Sequence, residues 1–352
     1  MKTNHTTAAI AMAVLAAALY GMSSPFSKLL LGHIPPTRMA AFLYLGAGIG
    51  MLLVNLVQKL RQSKPAEAKL TRNELPYVLA MIALDIMAPV LLMLGLELTT
   101  SSNASLINNF EIAATAVIAL FFFREAIGRR MWTAIALMTL SSILLSIEDI
   151  SSFTFSIGSV FVIGACLCWG LENNCTRMLS LKDPLQIVVI KGFGSGLGAL
   201  AISLALKEQA ADLVYIILAL LLGFVAYGLS IYFYISAQRA LGAARTSAYY
   251  AAAPFIGVLL SWLILQEKPT LSFMAALAIM LAGTYFAVTE NHAHAHRHET
   301  ILHEHMHRHD DLHHTHPHAP EVTGEHSHLH AHDETVHAHP HTPDLHHRHA
   351  HR

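Results

Sequence analysis

The sequence predicts an all-α integral membrane protein: ten transmembrane helices in two inverted five-helix repeats, followed by a disordered histidine-rich tail. Three observations carry that prediction. Apolar runs recur every 25–35 residues along the first 290 positions, and most reach the ~20 residues that a bilayer core demands. Charged residues make up 13% of the chain, about half of the usual ~25%, and fall mainly between the runs. Histidine is segregated: of 25 His, only His5 and His33 precede residue 292.

The expected spans are 7–27, 37–57, 76–97, 102–123, 130–147, 154–178, 186–206, 212–236, 244–265 and 270–288. They are read as helices because lipid offers no partner for backbone N–H and C=O groups. Pro25, Pro89 and Pro254 fall inside spans, where membrane helices tolerate them. The first run follows Lys2 and has no small-residue cleavage site after it, so it reads as a span and not as a signal peptide. Cys166, Cys168 and Cys175 share one span and form no disulfide framework.

Loop charge sets the orientation. With the N-terminus inside, the cytoplasmic side receives Lys2, Lys59, Arg61, Lys64, Lys69, Arg72, Arg124, Arg129, Arg130, Arg177, Lys182, Arg239 and Arg245. The outside receives Lys28, Arg38, Lys207 and Lys268. That imbalance predicts cytoplasmic termini in the cell inner (plasma) membrane.

The two halves echo each other. Tyr20-Gly21 matches Trp169-Gly170, Pro35 matches Pro184, Gly46-Ala-Gly-Ile-Gly50 matches Gly194-Ser-Gly-Leu-Gly198, and Glu125 matches Glu267. The order is kept, with offsets of 142–149 residues. Each half has an odd number of spans, so the halves run oppositely, which is the plan of many secondary transporters. The units are 1–148, 149–290 and the tail 291–352.

Leu19-Tyr-Gly-Met-Ser-Ser-Pro-Phe-Ser-Lys28, Cys168-Trp-Gly-Leu-Glu-Asn-Asn-Cys-Thr-Arg177, and Leu241-Gly-Ala-Ala-Arg-Thr-Ser-Ala-Tyr-Tyr250 leading to Pro254-Phe255 resemble an EamA-type member of the drug/metabolite transporter superfamily. The resemblance covers residues 7–289. It implies ten helices and alternating access around a central cavity, and leaves the substrate open. Span 4 carries Glu111-Ile112 where the family pattern has Glu-Pro, which removes the proline basis for a helix break there. Span 9 keeps its proline but has Ala253 in place of the acid.

Ionisable residues in mid-bilayer are expensive and read as functional. The candidates for the substrate path are Asp85, Glu111, Glu172 and Lys191, with Asn108, Asn109, Asn173, Asn174, Trp169, Tyr249 and Tyr250 beside them. Asn108 and Glu111 share a helix face at i, i+3. Each has a structural alternative. The asparagines could serve interhelical hydrogen bonds. Glu172 and Lys191 could be an ion pair holding spans 6 and 7 together, and the aromatics could simply pack. Cys168, Glu172 and Cys175 fall on one stripe that suits Zn²⁺, although cysteine is also an ordinary small residue in membrane helices.

In the tail, His292, His294, His296, His298, His303, His305, His307, His309, His313, His314, His316 and His318 open a series of His-x-His clusters. Imidazole suits Zn²⁺, Ni²⁺, Co²⁺ and Cu²⁺, and too few large apolar residues are present to build a core. The expected function is a secondary transporter of a small organic metabolite, with a tail that binds transition metal and no cofactor required. The alternatives are a Zn/Ni/Co permease and a non-transporting membrane metal sensor or store. No phosphate-binding loop and no catalytic constellation appear, so neither an enzyme nor a nucleic-acid binder is expected. The expected partners are the lipid bilayer, a small-molecule substrate, transition-metal ions and, as an option, a second copy in a homodimer.

Overall fold

The structure, a computed structural model, describes residues 2–60, 70, 72–123, 127–149, 154–179, 182–241, 246 and 249–289, and four backbone stretches of the tail. Its elements are α1 (Lys2–Gly21), α2 (Ser23–Leu30), α3 (Pro36–Leu60), α4 (Leu75–Leu98), α5 (Ser101–Ile107), α6 (Phe110–Phe123) and α7 (Arg129–Ser146). After a short antiparallel bridge, β1 (Ile147–Asp149) with β2 (Thr154–Phe155), come α8 (Ile157–Arg177), α9 (Pro184–Ala205), α10 (Leu213–Gly223), α11 (Ser230–Leu241), α12 (Ala253–Ile264) and α13 (Leu271–Val288).

Seven helical segments among the described residues are long and apolar enough to cross a membrane: Thr7–Leu30, Pro36–Leu60, Leu75–Leu98, Ser101–Phe122, Pro184–Ala205, Leu213–Ala237 and Leu271–Val288. The other three expected spans are present as helices that fall short of that standard. Helix α7 is interrupted by Thr and Ser, α8 by Glu172-Asn173-Asn174, and α12 is only 12 residues long. Side chains on the perimeter are apolar and exposed, among them Leu53, Phe121, Phe122, Leu213 and Leu271, which is the surface lipid would cover.

Local chemistry explains where the helices begin. Thr100, Ser156, Asp183 and Thr270 each cap a helix by accepting from a backbone N–H. Pro184 sits at the first turn of α9, where its missing N–H costs nothing.

Packing relies on small residues. Helix α3 lies along α9, α4 along α8, α7 along α13, α1 along α11 and α5 along α12. A Cβ on Gly192 would stand 2.5 Å from the Cα of Gly48, so the two backbones touch. Of the glycine runs matched between the halves, Gly48 of the first meets Gly192, just before the second, and Gly196 of the second packs against Leu45 of α3, the close approach that small residues permit in membranes.

Span 1 breaks between α1 and α2 at Met22, and spans 4 and 9 are discontinuous at related places. Span 4 breaks into α5 and α6 at Asn108-Asn109 without any proline. There the N–H groups of Asn109, Glu111 and Ile112 donate to carbonyls three residues back. Span 9 passes through a turn at Ala251-Ala252 before α12. Span 8 carries a π-helical turn, Phe224–Leu229. The described tail stretches are extended and pair antiparallel, Ala293–His298 with Thr335–Pro340 and Leu302–His307 with His326–Ala331. The remaining tail residues, and with them most of the expected disorder, lie outside the described residues.

Candidate functional site

The centre of the site is one ammonium shared by two carboxylates. Lys191 lies two turns into α9, next to the Gly192 contact with α3, and its Nζ is 3.0 Å from Asp85 Oδ2 on α4. The same Nζ is 3.0 Å from Glu172 Oε1 on α8. Glycines position the lysine: Gly194 seats Ile82 and Gly198 seats Ile86 of α4, which brings Asp85 level with Lys191. Asp85 is fully buried, Glu172 nearly so, and Lys191 keeps 13% of its side chain exposed. The remaining valences are filled locally. Tyr44 donates to Asp85 Oδ1 at 3.0 Å, and Thr176 donates to Glu172.

The sequence paired Lys191 with Glu172 alone. Asp85 completes a triad that ties α4, from the first half of the chain, to α8 and α9 from the second. Charges this well enclosed persist only when they are paired and hydrogen-bonded.

A second polar group lies beside it, between α6 and α8. Asn173 donates to Glu111 Oε1 at 2.7 Å and to Thr115 Oγ1 at 3.3 Å. Asn174 donates to the backbone oxygens of Thr115 and Gly170. Asn174 is therefore an interhelical tie, whereas Asn173 orients a carboxylate. No cation pairs with Glu111 among the described residues. At the break of span 4, Cys166 Sγ approaches the backbone oxygen of Ile107 at 3.6 Å and Asn108 Oδ1 at 3.9 Å. Asn109 is buried with both ends of its amide unpaired among the described residues.

A cluster of tyrosines adjoins the triad through Tyr44. Tyr20 meets Tyr227 edge-on at 5.8 Å between ring centroids and Tyr250 at 5.7 Å. Tyr44 meets Tyr227 at 5.5 Å, and Tyr234 meets Tyr250 at 4.8 Å. Ser23 donates to the Tyr227 hydroxyl at 3.0 Å. Sequence reasoning selected Tyr250 and passed over Tyr20, Tyr44 and Tyr227 as site residues. Their one signal was a glycine within two positions of each: Gly21, Gly46 and Gly228. Trp169 is buried in the core, and Tyr249 is exposed.

Among the described residues no group of three or more His, Cys, Asp or Glu is placed so that it could hold a metal ion, Cys168, Glu172 and Cys175 included. Glu172 is engaged by Lys191 and Thr176 instead. The tail histidines and Glu125 lie outside the residues whose side chains are described.

Carboxylates also link the halves at one end of the bundle. Glu208 accepts from the N–H groups of Thr37 and Arg38 at the start of α3, at 3.3 and 2.9 Å. Glu267 accepts from Ser101 and Ser102 at the start of α5, both at 2.8 Å. Both exploit the positive end of a helix. At the opposite end Lys182 pairs with Glu74 at 3.3 Å, and the N–H of Leu70 donates to Gln186.

Comparison with known proteins agrees with this architecture. Residues 7–147 and, separately, 156–289 match the EamA-like transporter family. A curated protein of Methanothermobacter thermautotrophicus, described as an uncharacterized transporter, is 25% identical over 288 residues, spanning 77% of this chain and 83% of its own length. The uncharacterized transporter YyaM of Bacillus subtilis is 20% identical over 272 residues, spanning 74% of this chain and 87% of its own. A solved crystal structure superposes with a TM-score of 0.58 at 15% identity, covering 80% of this chain and 95% of that one, and shares the fold. With matches to both halves of the chain, this multi-pass membrane protein belongs to the EamA-like transporter family.

Proposed function

We propose that this chain is a secondary transporter that moves a small organic metabolite across the cell inner membrane by alternating access. In this reading ten spans form two inverted repeats with both termini in the cytoplasm. The observation that carries it is the Asp85–Lys191–Glu172 triad, a buried charge set in mid-span that spans both halves. The separate match of each half to one family supports the repeat. The breaks in spans 4 and 9 support a site between the repeats, since interrupted helices in corresponding positions mark transporter sites.

Both ends of the bundle are bridged between halves, Glu208 and Glu267 at the outer end and Glu74–Lys182 at the inner end. Opening either side then means releasing the bridges on that side while the others hold. The tail is assigned to transition-metal binding. The described register sets His294 opposite His339 and His305 opposite His328, which supports that assignment.

The test is counterflow in proteoliposomes, with amino acids, organic amines and metal ions assayed separately. Accumulation of an organic solute, abolished by Lys191→Met, is expected. Flux of metal ions alone would favour a permease instead.

A further inference from the structure

We infer that transition-metal ions fold the tail by bridging its strands, one ion in each of two cross-strand histidine clusters. This deepens the assignment of the tail to metal binding and rests on it. The juxtaposition comes from the register. In the first ladder His294 stands opposite His339 and His296 opposite His337. In the second, His303, His305 and His307 stand opposite His330, His328 and His326. Residues two apart on a strand share a face, and so do directly opposed residues. Each ladder therefore collects its paired histidines on one face. A slip of one residue in either ladder would set every one of these histidines against another residue type, such as His303 against Leu329 or Ala331.

Opposed positions on a ladder have Cβ atoms about 5 Å apart, and the next position on the same face lies about 7 Å along the strand. Two successive His–His pairs thus offer four imidazoles within side-chain reach of one ion, the full complement of a closed tetrahedral site. A single His-x-His stretch offers only two. The one acid in these strands, Glu304, alternates onto the other face. A nitrogen set of this kind suits Zn²⁺, Ni²⁺ or Cu²⁺ and not Mg²⁺ or Ca²⁺, which take oxygen. The histidines change from even to odd positions between the ladders, so a strand running straight on would carry them on opposite faces, which makes the clusters two. Little else holds the strands together. A two-stranded ribbon is marginal by itself, and the face away from the histidines carries Ala293, Ala295 and Ala338 in the first ladder. Ion binding then supplies the folding free energy. The first strand begins at Ala293, close behind the end of α13 at Val288, so the tail would order within a few residues of the last span.

The experiment puts nitroxide labels on opposed positions off the histidine faces: Ala295→Cys with Ala338→Cys for the first ladder, Leu302→Cys with Ala331→Cys for the second. The host is the full chain in detergent with Cys166, Cys168 and Cys175 replaced by Ser. The probe is Zn²⁺ and the control Mg²⁺. Zn²⁺ should produce dipolar broadening in both label pairs and Mg²⁺ in neither. Calorimetry on the unlabelled chain, with its own cysteines, should find two tight Zn²⁺ ions, one per ladder. His337→Ala with His339→Ala should abolish the broadening of the first pair, spare the second and remove one tight ion. His328→Ala with His330→Ala should do the same to the second ladder and spare the first. Each double variant strips one strand only. Tight binding undiminished by both would mean that ions are held along single strands, and overturns the inference. So does Zn²⁺ binding without broadening, or broadening that is equal with and without Zn²⁺. In those outcomes the assignment of the tail to metal binding stands. No tight Zn²⁺ binding by the full chain sinks that assignment and the inference together.

Discussion

Replacing Lys191 with Met should unfold this protein more readily than replacing either of its partners. Each carboxylate oxygen is 3.0 Å from the ammonium. At an effective dielectric of ~20, that separation corresponds to a gross attraction of about 5 kcal/mol per pair. Desolvation cancels much of this, and removal of one member of a buried pair costs about 3–5 kcal/mol. Here one substitution strands two carboxylates, and each keeps one hydroxyl donor, Tyr44 for Asp85 and Thr176 for Glu172. The expected loss therefore lies at the upper end, on the order of 5 kcal/mol, or on the order of 10 °C in the melting temperature for a chain of this size. Asp85→Asn leaves Lys191 paired with Glu172 and should cost about 1.5–3 kcal/mol, a hydrogen bond to a charged group. The assay is thermal unfolding in one detergent for the single, double and triple variants. The triple variant Asp85→Asn, Glu172→Gln, Lys191→Met removes all three charges and should recover most of the loss, so its cost should fall well short of the sum of the three single variants. Strict additivity across the cycle would refute the triad as a unit.

Other features give further expectations. Gly192→Leu would drive a side chain into the Gly48 backbone, where even a Cβ stands 2.5 Å from Cα. It should cost on the order of 1–3 kcal/mol by overpacking, read as a lowered melting temperature, while Leu197→Ala on the exposed face of the same helix should change little. Ser27 is fully buried in α2, so Ser27→Cys should resist an impermeant maleimide applied from outside. Adding Glu208→Gln and Glu267→Gln, which weakens two caps worth about 1.5–3 kcal/mol per charged hydrogen bond, should speed that labelling several-fold, and an unchanged rate would count against the outer bridges as a gate. Truncation after Glu290 should abolish most Zn²⁺ and Ni²⁺ binding measured by calorimetry and spare solute counterflow. In the full chain binding should fade as pH drops through ~6.5, because protonated imidazole is no ligand; tight metal binding retained by the truncated core would contradict this.

Much of the architecture was legible because the bilayer imposes long apolar runs, and the polar interruptions stand out against them. Glu172 and Lys191 were conspicuous for that reason. Asp85 was visible as a buried charge, yet its partnership was not, because nothing local links position 85 to position 191. The glycine run of α9 sets that alignment through Ile82 and Ile86. The break of span 4 was hidden because it uses two asparagines and short backbone bonds where a proline was the expected signal. The tyrosine cluster was illegible for a related reason: Tyr20, Tyr44 and Tyr227 sit in three different helices, and aromatics are common enough in membrane helices to pass as packing. Glu208 and Glu267 lie in connecting loops, where an acid ordinarily reads as solvated, and only the fold reveals the helix ends they cap.

The central claim is that an organic solute crosses the membrane through the site around Asp85, Glu172 and Lys191. The most direct measurement compares solute counterflow by wild type and by the triple variant Asp85→Asn, Glu172→Gln, Lys191→Met, reconstituted at equal protein density and matched for folding by gel filtration and melting temperature. The account predicts robust counterflow by wild type and background flux by the folded triple variant. Undiminished flux through a folded protein without the three charges would contradict it.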